Sequence, residues 1–509
     1  MKLQVGLTSF HLAWLQVIEQ EKIPYHCYPV SVPYNVGITP VLIVTSASTS
    51  PKSLMKFVKE GGALVTDKKG PRFFSEAFWI DHVIKVDLDL EDYCMDWDST
   101  EKEFHFDNVF VTEKVARQKK SVAREKVVHA IKSAFWRLNL PYVHLWYYPY
   151  PYENVFSFRF DLDDYEADDF QNMYQLLKKY QNFVSCFVCL KSYERLISPL
   201  NSLAALGIEI ASHAYVHHVY NSYKQNFHNV TRAERLLEAY SEICVGFAGP
   251  HGKWHPTLER VLEKKGYLYS SEFGLDYDNY PFFPLYDGKL SRVLHIPTHG
   301  ICDGVFLERY PFDEGMIDRY YQRVISYLAQ NNLPILIFGH PSGRIGRYPK
   351  IFENIVRCVS GQKGVWQTTF REFAFWWIRR GQQKINCDYD EDGMLRLVNH
   401  LNQIYALEIA EPSGHSRIIL AQELAHGISL RVIDSLITSA DKVHPIHELR
   451  KKHSTYKKIK LWIKDVVDWE TKTPLSEMKC SDWQTALKYV LRLIYDSFRL
   501  RNGRQTFSA

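Results

Sequence analysis

The stretch FSFRFDLDDY, from Phe156 to Tyr165, decides how this chain is interpreted. Apolar residues flank Arg159, which is typical of a buried strand, and the strand runs directly into the carboxylates of Asp161, Asp163 and Asp164. Carboxylates that end a buried strand cost free energy unless they bind a metal ion or meet cations. The stretch therefore predicts a functional site at the end of a strand. For Asp164, an acidic N-cap of the next helix is the alternative.

Three further clusters follow along the chain, each at the end of a predicted strand. IEIASHAYVHHVY contains His213 and His217, and a spacing of four residues places both imidazoles on one face of a helical turn, close enough to share one ion. VGFAGPHGKWHP (residues 245–256) forms a Gly- and Pro-rich wall that can hold backbone N–H groups at a site. LPILIFGHP delivers His340 to a strand end. Taken alone, each cluster is also compatible with an ordinary turn or a structural histidine.

The chain divides into three predicted parts. Residues 1–140 alternate strand-like and helix-like stretches, such as TPVLIVTS followed by SPKSLMKFVKE, which indicates a parallel sheet with helices on its faces. Residues 141–380 repeat short apolar strands and helices, which predicts a distorted, TIM-like (β/α) barrel with active residues at the carboxyl ends of its strands. Residues 381–509 are expected to form a small β-rich accessory domain with C-terminal helices. The predicted fold class is therefore α/β.

The composition is that of a globular protein, with 46% hydrophobic residues, 24% charged residues and a formal net charge of +4. No basic block predicts nucleic-acid binding, and no stretch approaches the roughly 18 apolar residues that span a bilayer. The N-terminus lacks a signal-peptide pattern, and nine scattered cysteines suit a reducing compartment, so we expect a cytoplasmic location. The basic, amphipathic last helix (residues 482–504) favours packing on the protein itself, with peripheral membrane contact as the alternative.

Together the four clusters resemble the polysaccharide deacetylases of the NodB-homology type, carbohydrate esterase family four, over about residues 155–375. FRFDLDD is most similar to a variant with Arg-x-Asp-x-Asp in the first motif, found in enzymes of bacterial surface-polysaccharide synthesis. The resemblance implies a metal-dependent hydrolase that removes the acetyl group from the nitrogen of an amino sugar. Residues 1–140 resemble a flavodoxin-like, glutamine-amidotransferase-like domain. After TPVLIVTS those enzymes carry a nucleophilic cysteine, whereas Ser46, Ala47 and Ser48 stand at that position here, so this part is expected to be non-catalytic.

Carried over by position, the resemblance implies that Asp163, His213 and His217 hold the metal and that Asp161 is the general base. It also implies that His340 protonates the departing amine, a task that suits a residue titrating near neutrality. Zinc is the expected divalent metal because the ligands mix nitrogen and oxygen, and cobalt, manganese or iron(II) fit the same ligands. The expected substrate is an N-acetylated sugar or glycoconjugate. The sequence leaves open whether it is lipid-linked, nucleotide-linked or oligomeric.

Two departures from the family pattern matter. The first motif also allows a register in which Asp163 is the base and Asp164 is the ligand. In the wall motif, Ala248 stands where the family has an arginine that orients the base. Because Arg159 lies on the strand beside Asp161, we expect it to supply the replacement cation, and we count it among the catalytic residues.

Two other classes of function stay open on the sequence alone. A glycoside hydrolase would use two carboxylates on either side of a sugar bond, but it leaves the two histidines of the second cluster and His340 without a role. A non-catalytic carbohydrate-binding scaffold is favoured by the missing wall arginine, although every proposed ligand is present. Four more residues are candidates for contacts to the substrate or to the site residues, at even odds with a structural role: Asp276, Asp278, His295 and His299.

Overall fold

The computed structural model describes residues 1–29, 32–46, 49–107, 109–240, 244–272, 279–307, 313–430 and 447–449, together with Val490 and Leu493. Its central feature is a curled sheet of eight parallel strands. In order across the sheet these strands are Leu294–His295, Tyr269–Ser270, Gly246–Phe247, Glu209–Ser212, Val184–Val188, Asn154–Leu162 and Ile335–Gly339, with Val365–Gln367 pairing with the start of Asn154–Leu162. This arrangement agrees with the α/β class and is consistent with a deacetylase-type barrel.

The strand Asn154–Leu162 is buried along its whole length, as expected for a parallel strand covered on both faces. Successive side chains point to opposite faces. Phe158 and Phe160 pack against Phe352 of a covering helix, with ring centroids 4.8 and 5.5 Å apart. The opposite face therefore carries Arg159 and Asp161, on the concave side of the curled sheet.

Helices connect and cover the strands of this sheet. The longer ones are Ala167–Tyr180, Ile197–Ala205, Tyr223–Leu237, Pro256–Lys265, Glu314–Gln330, Pro349–Ser360 and Phe370–Gln382. Short helical turns lie at Gln181–Phe183, Leu190–Tyr193, Pro250–Gly252, Asp303–Leu307 and Pro341–Ile345. The N–H of His299 donates to the carbonyl of Leu336 at 2.7 Å, and this bond links the two outer ends of the curled sheet.

A second parallel sheet precedes the curled one. Its strands, in spatial order, are Tyr25–Cys27, Val5–Leu7, Val41–Ile43, Ala63–Thr66 and Val83–Lys85. The accompanying helices are Leu12–Glu21, Pro51–Lys59, Arg72–Ser75, Ala77–Ile80, Leu90–Met95 and Lys120–Arg137. The assignment of this part as a flavodoxin-like, non-catalytic domain stays a prediction.

A hairpin of Ser99–Phe106 and Val109–Ala116 extends from this part, and His447–Leu449 pairs with its first strand. Phe106 packs edge-on against Tyr320, with ring centroids 5.2 Å apart, so the hairpin lies against the helix Glu314–Gln330.

The region after residue 381 forms short antiparallel strands. Cys387–Tyr389, Met394–Leu397 and Ile428–Ser429 make one sheet, and the short helix Ala421–Ala425 directly precedes its last strand in sequence. Ala406–Ala410 pairs with Ser416–Leu420 and also with Tyr142–Leu145, a strand that the predicted limits assign to the barrel. Earlier in the chain, a small hairpin of Leu285–Tyr286 and Lys289–Leu290 lies in sequence between the strands Tyr269–Ser270 and Leu294–His295 of the curled sheet. The limits of the three domains stay predictions, and the predicted C-terminal basic helix lies outside the described residues except for Val490 and Leu493.

Across the described ranges, no helix has both the length and the apolar character that crossing a membrane requires.

Candidate active site and metal centre

Three predicted ligands meet at the carboxyl end of the curled sheet. One carboxylate oxygen of Asp163, Oδ1, lies 3.2 Å from Nε2 of His213 and 3.1 Å from Nε2 of His217. The two Nε2 atoms are 3.0 Å from each other. Asp163 follows the strand Asn154–Leu162, and both histidines follow the strand Glu209–Ser212. These two parallel strands flank Val184–Val188 in the same sheet, so their carboxyl ends deliver all three side chains to one point.

The hydrogen bonding of His213 fits a metal ligand. Its Nδ1 lies 2.8 Å from the carbonyl oxygen of Ala248, and a carbonyl can only accept. Nδ1 therefore carries the proton, and Nε2 presents a lone pair towards His217 and Asp163. Two imidazole nitrogens and one carboxylate oxygen facing the same point are the protein ligands of a catalytic zinc-type centre. The residues present fit a divalent metal ion.

The charge state of Asp163 agrees with this arrangement. Burial raises the pKa of this carboxyl, but His217, His213 and His340 outweigh burial and hold the pKa well below its usual range. Asp163 is therefore ionised at neutral pH, as a metal ligand has to be.

Asp164 does not join this group. It is exposed, while its backbone carbonyl accepts from the hydroxyl of Ser342 at 2.7 Å. The structure thus brings Asp163 rather than Asp164 to the two histidines, which favours the first of the two registers considered above.

The predicted base and its predicted cation are both buried, Asp161 at 3% exposure and Arg159 at 2%. Nη2 of Arg159 donates to Oδ2 of Asp161 at 2.7 Å. Nη1 donates to the carbonyl oxygen and the hydroxyl of Ser271, at 2.5 and 2.8 Å. The guanidinium also lies over the rings of Phe187 and Phe338, at 5.4 and 5.1 Å from their centroids. Arg159 is therefore held from several sides next to the carboxylate of Asp161.

The last predicted site residue, His340, has a partner that the sequence did not reveal. Nε2 of His340 lies 3.7 Å from Oδ2 of Asp163, and Nδ1 lies 2.7 Å from Oδ1 of Asp303. The backbone N–H of His340 donates to the other oxygen of Asp303 at 2.8 Å. Burial lowers the pKa of His340, but the carboxylate of Asp303 outweighs burial and holds the pKa well above its usual value. His340 is therefore an imidazolium oriented by Asp303.

Two of the four additional candidates are interior residues. His295 is fully buried between two buried glutamates, with Nε2 2.9 Å from Glu259 and Nδ1 3.0 Å from Glu272. His299 is also fully buried, and its Nε2 lies 2.5 Å from the hydroxyl of Tyr320. Both histidines face the protein interior, which favours their structural interpretation. Asp276 and Asp278 lie outside the described residues.

The ion pairs of His295 predict a pH dependence of stability. Burial lowers its pKa, but Glu259 and Glu272 outweigh burial and raise the pKa to about 10. A pKa raised above the unfolded value of about 6.5 stabilises the fold fully below pH 6.5, and this contribution is lost as the pH rises towards 10. The difference in free energy of unfolding between wild type and His295→Gln should therefore be larger at pH 6 than at pH 9.5, measured by urea titration. If this difference in free energy of unfolding is equal at the two pH values, the raised pKa of His295 is contradicted.

Comparisons with known proteins give matches in the same region of the chain. Residues 153–270, less than half of the chain, match the model of a family described as Polysaccharide deacetylase. The matched range contains Asp161, Asp163, His213 and His217 and ends before His340. No curated protein matches the sequence significantly. The chain thus contains a region similar to polysaccharide deacetylases, and its curled parallel sheet is consistent with their barrel.

Solved structures match over less than half of this chain. A candidate polysaccharide deacetylase from Mycobacterium smegmatis is 17% identical, with a TM-score of 0.41 over 47% of this chain and 96% of that chain. A family 4 acetyl xylan esterase from Clostridium thermocellum, in complex with a cobalt ion, is 13% identical, with a TM-score of 0.31 over 44% and 91%. A CE4 family pseudoenzyme from Bacillus anthracis is 11% identical, with a TM-score of 0.31 over 43% and 65%.

Proposed function

We propose that this protein is a metal-dependent deacetylase that hydrolyses the N-acetyl group of an amino sugar during the synthesis of a surface polysaccharide or glycoconjugate. One observation carries the proposal: at the same sheet edge, Asp163 of the Asp163–His213–His217 group lies 3.7 Å from His340. The buried carboxylate of Asp161 stands at the end of the strand that leads into Asp163. Hydrolysis of an amide needs a group that takes a proton from water and a group that gives a proton to the amine. The family match over residues 153–270 supports the same chemistry.

Asp163, His213 and His217 would hold the metal. The mixed nitrogen and oxygen ligands favour zinc, and cobalt, manganese and iron(II) fit the same set. When bound, the metal supplies a Lewis acid that polarises the acetyl carbonyl and makes water a stronger nucleophile. Since Nδ1 of His213 donates to the carbonyl of Ala248, the wall segment fixes one ligand ring in place.

Side chains of the protein carry out the proton transfers. Asp161 accepts the proton of the attacking water, and Arg159 holds this carboxylate in position through a 2.7 Å hydrogen bond. His340 donates a proton from Nε2 to the amine nitrogen as the bond between that nitrogen and the acetyl carbon breaks. The proton on Nδ1 of His340 stays in its hydrogen bond to Asp303. Water and amide thereby give acetate and a free amino sugar.

The proposal is tested with the wild-type chain. We expect about one bound metal per chain, and acetate release from at least one of three substrate types: nucleotide-linked, lipid-linked or oligomeric N-acetylated sugars. Removing the metal with a chelator should stop acetate release, and zinc should restore it. Acetate release that survives complete metal removal would contradict metal dependence. New reducing ends without acetate would point to a glycoside hydrolase instead.

A further inference from the structure

A second group of side chains that can bind a metal ion is formed by Cys302, Asp303 and the Nδ1 side of His340. The sulfur of Cys302 is 3.2 Å from Oδ1 of Asp303 and 3.8 Å from Nδ1 of His340. Nδ1 of His340 and Oδ1 of Asp303 are 2.7 Å apart. A thiol, a carboxylate and an imidazole thus converge on the side of His340 that faces away from Asp163.

These separations are close to those of a zinc site. In a tetrahedral site, zinc bonds of about 2.3 Å to sulfur and about 2.0–2.1 Å to nitrogen or oxygen place sulfur and nitrogen about 3.5 Å apart. The same geometry places nitrogen and oxygen about 3.3 Å apart. Shifts of a few tenths of an ångström in the three side chains would reach these values. Cys302 is only partly buried, so a solvent molecule can complete the coordination.

We propose that Cys302, Asp303 and His340 form a second, inhibitory binding site for zinc and chemically similar divalent ions. Its inhibitory effect rests on the proposed function. An ion bound to Nδ1 of His340 displaces the proton that Asp303 holds there, so His340 is no longer an imidazolium. A neutral, metal-bound imidazole is a much weaker acid, and the departing amine loses its proton donor.

The surroundings make this site weaker than the one at Asp163. Nη1 of Arg344 lies 3.7 Å from both the sulfur of Cys302 and Oδ1 of Asp303, and its positive charge opposes a cation. Burial and the carboxylate of Asp303 raise the pKa of the Cys302 thiol to about 11, so an incoming ion has to displace a proton. The side chain of Arg344 is 24% exposed and can turn towards solvent. The second site therefore fills only when metal is in excess.

Cobalt(II) distinguishes the two sites by absorption, without any assay of activity. The first site has no sulfur ligand, so cobalt bound there gives visible bands without a thiolate-to-cobalt charge-transfer band. In a titration of metal-free protein, we expect the near-ultraviolet charge-transfer band only after the first equivalent. Cys302→Ser should lose this band and keep the first-equivalent spectrum, whereas Cys27→Ser, a partly buried thiol on the strand Tyr25–Cys27, should keep both. No charge-transfer band in wild type, or an unchanged band in Cys302→Ser, would overturn the second site.

Zinc inhibition then tests the role of the second site. Excess zinc should inhibit acetate release by the wild type, and Cys302→Ser should raise the inhibitory zinc concentration by at least about 10-fold. Arg344→Gln should lower that concentration, because it removes the opposing charge. Equal inhibition of wild type and Cys302→Ser would overturn the inhibitory role. If no substrate releases acetate, the proposed function fails while the cobalt spectra still decide whether the second site exists.

Discussion

Replacing His213 with alanine is expected to remove both the bound metal and the release of acetate. Nε2 of His213 lies within 3.2 Å of Asp163 and 3.0 Å of His217, and the ring is held by Ala248. Alanine deletes one of the two proposed nitrogen ligands, and three protein ligands are the usual minimum for a catalytic zinc. Loss of an outer partner alone costs roughly 10–100-fold in affinity or activity, so loss of the ligand should cost more than about 100-fold.

The measurement combines metal content by mass spectrometry with acetate release in the presence of about one equivalent of zinc per chain. His228→Ala is the matched control, because His228 is an exposed histidine on the neighbouring helix Tyr223–Leu237 and should keep both properties. Since His213 is buried, alanine also leaves a cavity, and circular dichroism and thermal unfolding have to show that the variant is folded. A folded variant that retains metal and full acetate release would refute the metal centre.

The sequence predicts those site residues whose spacing is local. Asp161 and Asp163 follow an apolar strand, and His213 and His217 are four residues apart after another strand. The parallel strands of one sheet deliver their carboxyl ends to one sheet edge, so such patterns bring residues together without knowledge of the tertiary contacts. The structure brings all four, with His340, to that edge.

Residues whose role depends on distant partners escaped sequence reasoning. Asp303 orients His340 from 37 positions upstream, in a short turn with no pattern of its own. For His295 the sequence left a structural role and a role at the site equally open, and it is a buried ion-pair partner because Glu259 and Glu272 reach it from other elements. The same limit applies to Tyr142–Leu145, since its antiparallel pairing with Ala406–Ala410 joins segments more than 250 positions apart. Periodicity indicates that a strand exists, but not which strand it pairs with.

Substitution of Arg159 tests whether this cation replaces the arginine of the wall motif, at whose position Ala248 stands. Arg159→Met should lower kcat for acetate release by roughly 10–100-fold with little change in KM, because it removes a group that positions the base rather than one that binds the ground state. Methionine keeps most of the apolar stem against Phe187 and Phe338 but leaves the carboxylate of Asp161 buried without its 2.7 Å donor. Metal content should stay at the wild-type level, since no metal ligand is changed.

Arg159→Lys separates positioning of the base from support of the fold. Lysine keeps the charge, but a single ammonium cannot reproduce the planar fork that donates to Asp161 and Ser271 at the same time. Its kcat should therefore lie between those of wild type and Arg159→Met. If Arg159 only supported the fold, both variants would lose stability and kcat would follow the folded fraction alone. Near-normal kcat in a folded Arg159→Met protein would remove Arg159 from the mechanism, because Asp161 would then act without an orienting cation.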